Sequence, residues 1–122
     1  MIMLMDALTV EKDRRRQTSK EEALRRQMGQ EVLRRLGECL TATPLPRWYF
    51  IPNGDEIVVI HNKDGAGSRQ RVGAWALDEQ NRLTFGAEKT EWITTESWAR
   101  VIDKAVVMTA QVILDHEGAP PN

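Results

Sequence analysis

Apolar residues recur every fourth position from Leu24 through Met28, Val32 and Leu36 to Leu40, with Leu33 and Cys39 beside them. A helix brings such positions onto one face, so the spacing predicts an amphipathic helix with a buried stripe. Cys39, near the end of that stripe, is expected as a small buried hydrophobe. Ser19 followed by Glu22 has the pattern of a capping box and places the helix start near Thr18 and Ser19. Pro44 and Pro46 oblige the helix to end by about Thr43. Arg25, Arg26, Glu31, Arg34, Arg35 and Glu38 fill its remaining faces.

Beyond the prolines the period shortens. Residues 47–51 (Arg-Trp-Tyr-Phe-Ile) read as a strand, and Pro52-Asn53-Gly54-Asp55 as a tight hairpin turn built on Asn-Gly. The returning strand covers 56–61. A glycine-containing loop over 63–68 leads to a third strand at 69–77. A polar turn at 78–81 and a short fourth strand at 82–85 follow, so short connections favour an antiparallel meander. A second helix begins near Thr94 and Thr95. Its apolar face is Trp98, Val101, Ile102, Ala105, Thr109, Val112 and Ile113, and Gly118 with Pro120 and Pro121 supplies the stop.

The predicted fold is α+β: a four-stranded antiparallel meander flanked by an N-terminal and a C-terminal amphipathic helix, in the order α-β-β-β-β-α. Residues 1–17 read as a flexible or frayed N-terminal arm, 18–118 as a single domain and 119–122 as a short tail. The first hairpin is apolar on both faces, with Trp48 and Phe50 pointing one way and Tyr49 and Ile51 the other. Such strands need cover on both sides. Either the helices take opposite faces, or they share one and a partner covers the second. Homodimerisation is one expected source of that cover.

Composition narrows the class. The chain has 122 residues, 41% of them apolar, which suits one domain with a real core. The formal net charge is −1, from 17 Lys and Arg against 18 Asp and Glu. Residues 11–38 hold nine basic and six acidic side chains, so the N-terminal helix is mildly positive and the remainder mildly acidic. Cys39 is the only cysteine, which rules out an intrachain disulfide and suits a reducing, cytoplasmic setting. The apolar opening Met1-Ile2-Met3-Leu4-Met5 is too short for a signal peptide, and nothing approaches the roughly 20 apolar residues of a membrane span.

No catalytic chemistry is legible. A zinc site draws four ligands from Cys, His and carboxylates, and one Cys with two His supplies too few, so no metal is expected. His61 and His116 read as solvated or locally bonded side chains. Cys39 has no activating base in view, and Ser19, Ser68 and Ser97 lie in no nucleophile elbow. The Gly65-Ala66-Gly67-Ser68 loop feeds a strand where a phosphate loop feeds a helix, which leaves a flexible connection or an anion contact by Lys63, Arg69 and Arg71. Asp55, Glu56, Glu88 and Glu91 read as solubilising groups in turns and loops. No cofactor and no enzymatic activity are expected.

What remains is a non-catalytic protein-binding module, a small inhibitor, adaptor or regulatory subunit of a larger protein. Its candidate contact residues are Arg14, Arg15, Arg16, Arg25 and Arg26 on the N-terminal helix, and Lys63, Arg69 and Arg71 around the loop. The alternative is a nucleic-acid-binding regulator using the arginine-rich helix. Interleaved Glu11, Asp13, Glu21, Glu22, Glu31 and Glu38 dilute that field, and Trp48, Phe50, Trp75 and Trp98 fall at core positions. Protein binding is therefore the favoured reading, with no membrane contact.

Overall fold

A computed structural model describes residues 1–63 and 69–118. Helix α1 spans Leu4–Thr41. Strands β1 (Trp48–Asn53), β2 (Glu56–Asn62), β3 (Arg69–Leu77), β4 (Leu83–Phe85) and β5 (Glu88–Lys89) follow, and helix α2 spans Trp98–His116. The strands form one antiparallel sheet in sequential order. The α+β class and the meander are as expected, with five strands in place of four. The extra strand is a two-residue return after Gly86, whose φ of 61° opens a tight turn that an L side chain rarely adopts. Both of its residues are polar and exposed, so no apolar alternation announces it.

The helix start also differs. α1 begins at Leu4, and Ser19 lies inside it without forming a capping box. Residues 11–16 are, Asp13 apart, good helix formers, and they pair one turn apart: Arg14 and Arg15 with Glu11, and Arg16 with Asp13. Thr18 satisfies its own hydroxyl on the Arg14 carbonyl at 3.0 Å. The first buried residue of α1 is Gly29, so Leu24 in the expected stripe is exposed, as is Cys39. The stripe that packs is Val32, Leu33, Leu36 and Leu40. Cys39 falls one residue off it, about 100° round the helix.

At α2 the start signal is real but sits one turn before the helix. The Thr94 N–H donates to Ser97 Oγ at 2.9 Å, and the Ser97 N–H donates back to Thr94 Oγ1 at 3.0 Å. The helix ends where Gly118 takes a φ of 72°. Pro120 and Pro121, with the expected tail, lie outside the described residues.

Both helices lie on the same face of the sheet. Val32, Leu33, Leu36 and Leu40 from α1 and Val101, Ile102 and Ala105 from α2 share one core with Trp48, Ile57, Val59, Trp75 and Leu83. The register shows why: Trp48 pairs with His61, Phe50 with Val59 and Ile57 with Trp75, which puts these side chains on one surface. The opposite surface carries Tyr49, Ile51, Val58, Ile60 and Ala74. Of the two arrangements open to the sequence, the structure adopts the one with an uncovered sheet face.

That face is partly screened by the chain itself. Arg71 stands opposite Ile60 and Glu56 opposite Ala76, and the two charges meet at 3.4 Å across the Val58–Ala74 pair between them. Val58 is thereby buried, whereas Tyr49 and Ile51 on the edge strand stay 46% and 42% exposed. Pro52 in the same edge strand removes a backbone donor, a feature that discourages strand-to-strand pairing.

Candidate interaction surfaces

The sequence-predicted contact residues fall into three separate places. Arg14, Arg15 and Arg16 sit on the free N-terminal part of α1, and each is paired with an acid one turn earlier. The Arg14 guanidinium, hydrogen-bonded to Glu11, holds that carboxyl below its ordinary range, and Glu11 raises Arg14 in return. The three arginines of the arm thus share two carboxylates, which lower its positive charge without cancelling it. Arg25 and Arg26 are a further two to three turns along. They line a cleft of about 860 Å³ formed with Asn81 of the β3–β4 turn and Trp92.

Of Lys63, Arg69 and Arg71, the register puts Arg69 and Arg71 on one face of β3 and leaves Lys63 past the end of β2. β3 carries a bulge: Val59 pairs with Gly73 but Ile60 with Arg71, which leaves Val72 as the extra residue. The bulge sends Arg71 to the uncovered face, where it pairs with Glu56, while Gln70 joins His61 on the helix side. Lys63 lies past the end of β2, and Arg69 stands opposite Asn62. An anion contact by all three, with the loop residues 64–68 between them, lies in part outside the described residues.

What the sequence does not single out is the tip of α1. Ile2, Met3, Leu4, Met5 and Val10 are 61–74% exposed, Leu8 is 44% exposed, and Met1 is fully exposed. Residues 19–28 line the cleft beside Asn81 and Trp92, whereas residues 4–18 line no cavity among those described. At ~1.5 Å per residue these fifteen positions project about 22 Å. Water is a poor solvent for an apolar cap exposed on a helix of this length.

Closer to the body, Glu31 organises the outer face of α1. Arg34 Nε donates to it at 3.1 Å and Arg35 Nε at 3.2 Å, and Arg34 also reaches Glu38. The Arg34 hydrogen bond, followed by that of Arg35, holds the Glu31 carboxyl at about 2. A lowered carboxylate contributes stability that is complete above its unfolded value near 4.5 and drains away as pH falls toward 2. The Glu31 side-chain carbon should therefore titrate near 2 by NMR, with α1 helicity falling across that window. In the Arg34→Gln/Arg35→Gln double variant the titration should return toward 4.5; a midpoint unmoved by both substitutions would refute the pairing.

His61 is not the solvated or locally bonded side chain that the sequence suggests. It is only 7% exposed and stacks on Trp48, with ring centroids 4.4 Å apart and planes 22° from parallel. His116, on the exposed last turn of α2, meets the His61 ring edge-on at 4.8 Å. Trp48 Nε1 donates to Glu117 at 2.7 Å, which fastens the end of α2 to β1. The strand end and the helix end are 55 residues apart in sequence, so no local signal links them.

Among the described residues, no three His, Cys, Asp or Glu side chains gather as a metal site, and no helix is long and apolar enough to cross a membrane. Set against protein-family models, curated proteins and solved structures, the chain matches none of them.

Proposed function

We propose that this chain is a non-catalytic protein-binding module, acting as an inhibitor, adaptor or regulatory subunit of a larger protein, and that the N-terminal part of α1 is its docking element. The observation that carries the reading is the exposed apolar tip formed by Ile2, Leu4, Met5, Leu8 and Val10. A helical segment of about fifteen residues without tertiary packing is marginal in water, because nucleation is costly and propagation gains little per residue. A groove on a partner supplies the missing packing, the mode in which an amphipathic or apolar helix is held by its side-chain anchors. Arg14, Arg15 and Arg16 then stand at the rim, where paired charges adjust specificity more than affinity.

The test is affinity capture from the native lysate with the full chain and with a Leu4→Glu/Leu8→Glu variant, each with and without nuclease. A stoichiometric protein captured by the parent, resistant to nuclease and lost in the variant, is the expected result. Both substituted positions are exposed, so the variant's thermal midpoint should match the parent's. Capture that collapses with nuclease, or that survives both substitutions, would overturn the assignment. The first of these would move nucleic-acid binding by the arginine-bearing helix to the front, where affinity should fall steeply with salt.

A further inference from the structure

We propose that the cavity beside His61 binds the phosphate group of a small phosphorylated molecule, independently of the docking helix. The cavity has a volume of about 500 Å³ and is lined by Arg47, His61, Lys63, Gln70, His116 and Glu117. That is the size range of small-molecule sites, larger than a bare oxyanion and suited to an ester of one.

Three features of the residues point to an anion. First, His61 is a polar ring buried where an apolar aromatic would stack on Trp48 equally well. Its Nδ1 has no hydrogen-bond partner among the described residues. His116 meets the His61 ring edge-on at 4.8 Å, so two imidazole rings line the same cavity.

Second, Arg47 is held in a conformation that ordinary residues avoid. Its φ is 71°. The strain is sustained by two bonds: the Asn62 N–H donates to the Arg47 carbonyl at 2.8 Å, and Arg47 Nη1 donates to the Lys63 carbonyl at 2.9 Å. The result fixes a guanidinium at the wall of the cavity that Lys63 also lines. Backbone strain of this kind gathers at functional sites.

Third, the charges lining the cavity favour an anion. Arg47 and Lys63 form no ion pair among the described residues. The opposing carboxylate of Glu117 is engaged by Trp48 Nε1. At the helix end that abuts the cavity, two of the last carbonyls are in use: Ile113 and Asp115 accept from the Glu117 and Gly118 N–H groups. A guanidinium, an ammonium, the Gln70 amide and two imidazoles make a donor-rich set, and charge-assisted bonds to phosphate oxygens are the strongest such a set can form.

The experiment titrates the full-length chain with inorganic phosphate and with ribose 5-phosphate, at fixed pH and ionic strength, and follows the histidine ring ¹⁵N–¹H signals. Saturable shifts at His61 and His116 are expected, with the ester binding more tightly than phosphate. Lys63→Gln replaces an exposed side chain and should leave the fold intact. It should weaken binding roughly tenfold or more, the worth of one charge-assisted bond. Gln70→Ala gives a second, uncharged check with a smaller loss. Shifts that fail to saturate, that chloride reproduces, or that Lys63→Gln leaves unchanged would overturn the site.

Discussion

Replacing Trp75 by Ala should lower stability by about 3–5 kcal/mol, the cost typical of removing a buried aromatic and leaving a cavity. Trp75 is 1% exposed, is paired in register with Ile57 and Phe85, and lies in the core that α1 and α2 share. Its ring is tilted against Phe85 at 5.3 Å, and its Nε1 donates to Thr109 Oγ1 on α2 at 2.9 Å. One side chain thus joins the central strand, the short fourth strand and the second helix. Domains of this size are stable by only about 5–15 kcal/mol, so the loss is a large share of the whole. The thermal midpoint should fall by on the order of 10–25 °C, followed by circular dichroism. Thr109→Val should cost less, about 1–3 kcal/mol, because it leaves the indole N–H without an acceptor in a dry site. Thr109 itself keeps a bond to the Ala105 carbonyl at 2.7 Å, so Trp75→Phe should be the mildest change of the three. A Trp75→Ala chain melting within a few degrees of the parent would show that the core closes without this residue.

The sheet's helix-facing surface is legible in the sequence because it follows simple periods. Trp48, Ile57, Val59 and Trp75 fall where strand alternation places them, and Val101, Ile102, Ala105 and Thr109 where helical spacing does. The pieces that escape the pattern are those whose cause is not local. Residues 4–18 of α1 line none of the described cavities, so no buried apolar stripe marks them, and paired charges at positions 11–16 support their helicity. Asn-Gly announces the first hairpin turn, yet the positive φ falls on Gly54 alone, with Asn53 still paired to Glu56 as the last strand residue. The bulge at Val72 cannot be read from composition, and it alone decides that Arg71 and Lys63 part company.

The candidate surfaces divide in the same way. Basic side chains are conspicuous in a sequence, so Arg14, Arg15 and Arg16 draw the eye; Glu11 and Asp13 are already seen there to dilute their field, and the folded helix shows which arginine each of them meets. The apolar opening residues carry the stronger signal. Weighed only against a signal peptide, they leave open what else an apolar helix end does. His61 needs the third dimension entirely: nothing near it in sequence says that α2 returns to the same end of the sheet.

Replacing Gly73 by Val should destabilise the fold by roughly 2–3 kcal/mol, although Val is the better strand former and the local propensity scale gives the opposite sign. Gly73 lies opposite fully buried Val59, immediately after the bulge. A Cβ at this position would stand 2.5 Å from Phe85 Cζ and 2.9 Å from Cε1, distances real Cβ atoms do not reach. The ring has little room to yield, because Phe85 packs on the core and leans on Trp75. It is also held between two strands, pairing with Trp75 on one side and Glu88 on the other. Glycine therefore serves here as the space into which an aromatic ring fits. The cause can be isolated with a second substitution. Phe85→Leu should cost stability in the parent but recover part of it beside Gly73→Val, with a coupling of about 1 kcal/mol by denaturant unfolding. Strictly additive losses would mean that the introduced valine is opposed by something other than the ring. A rise in the midpoint on Gly73→Val would mean that the close approach of Phe85 does not constrain the sheet, and that strand propensity governs this position after all.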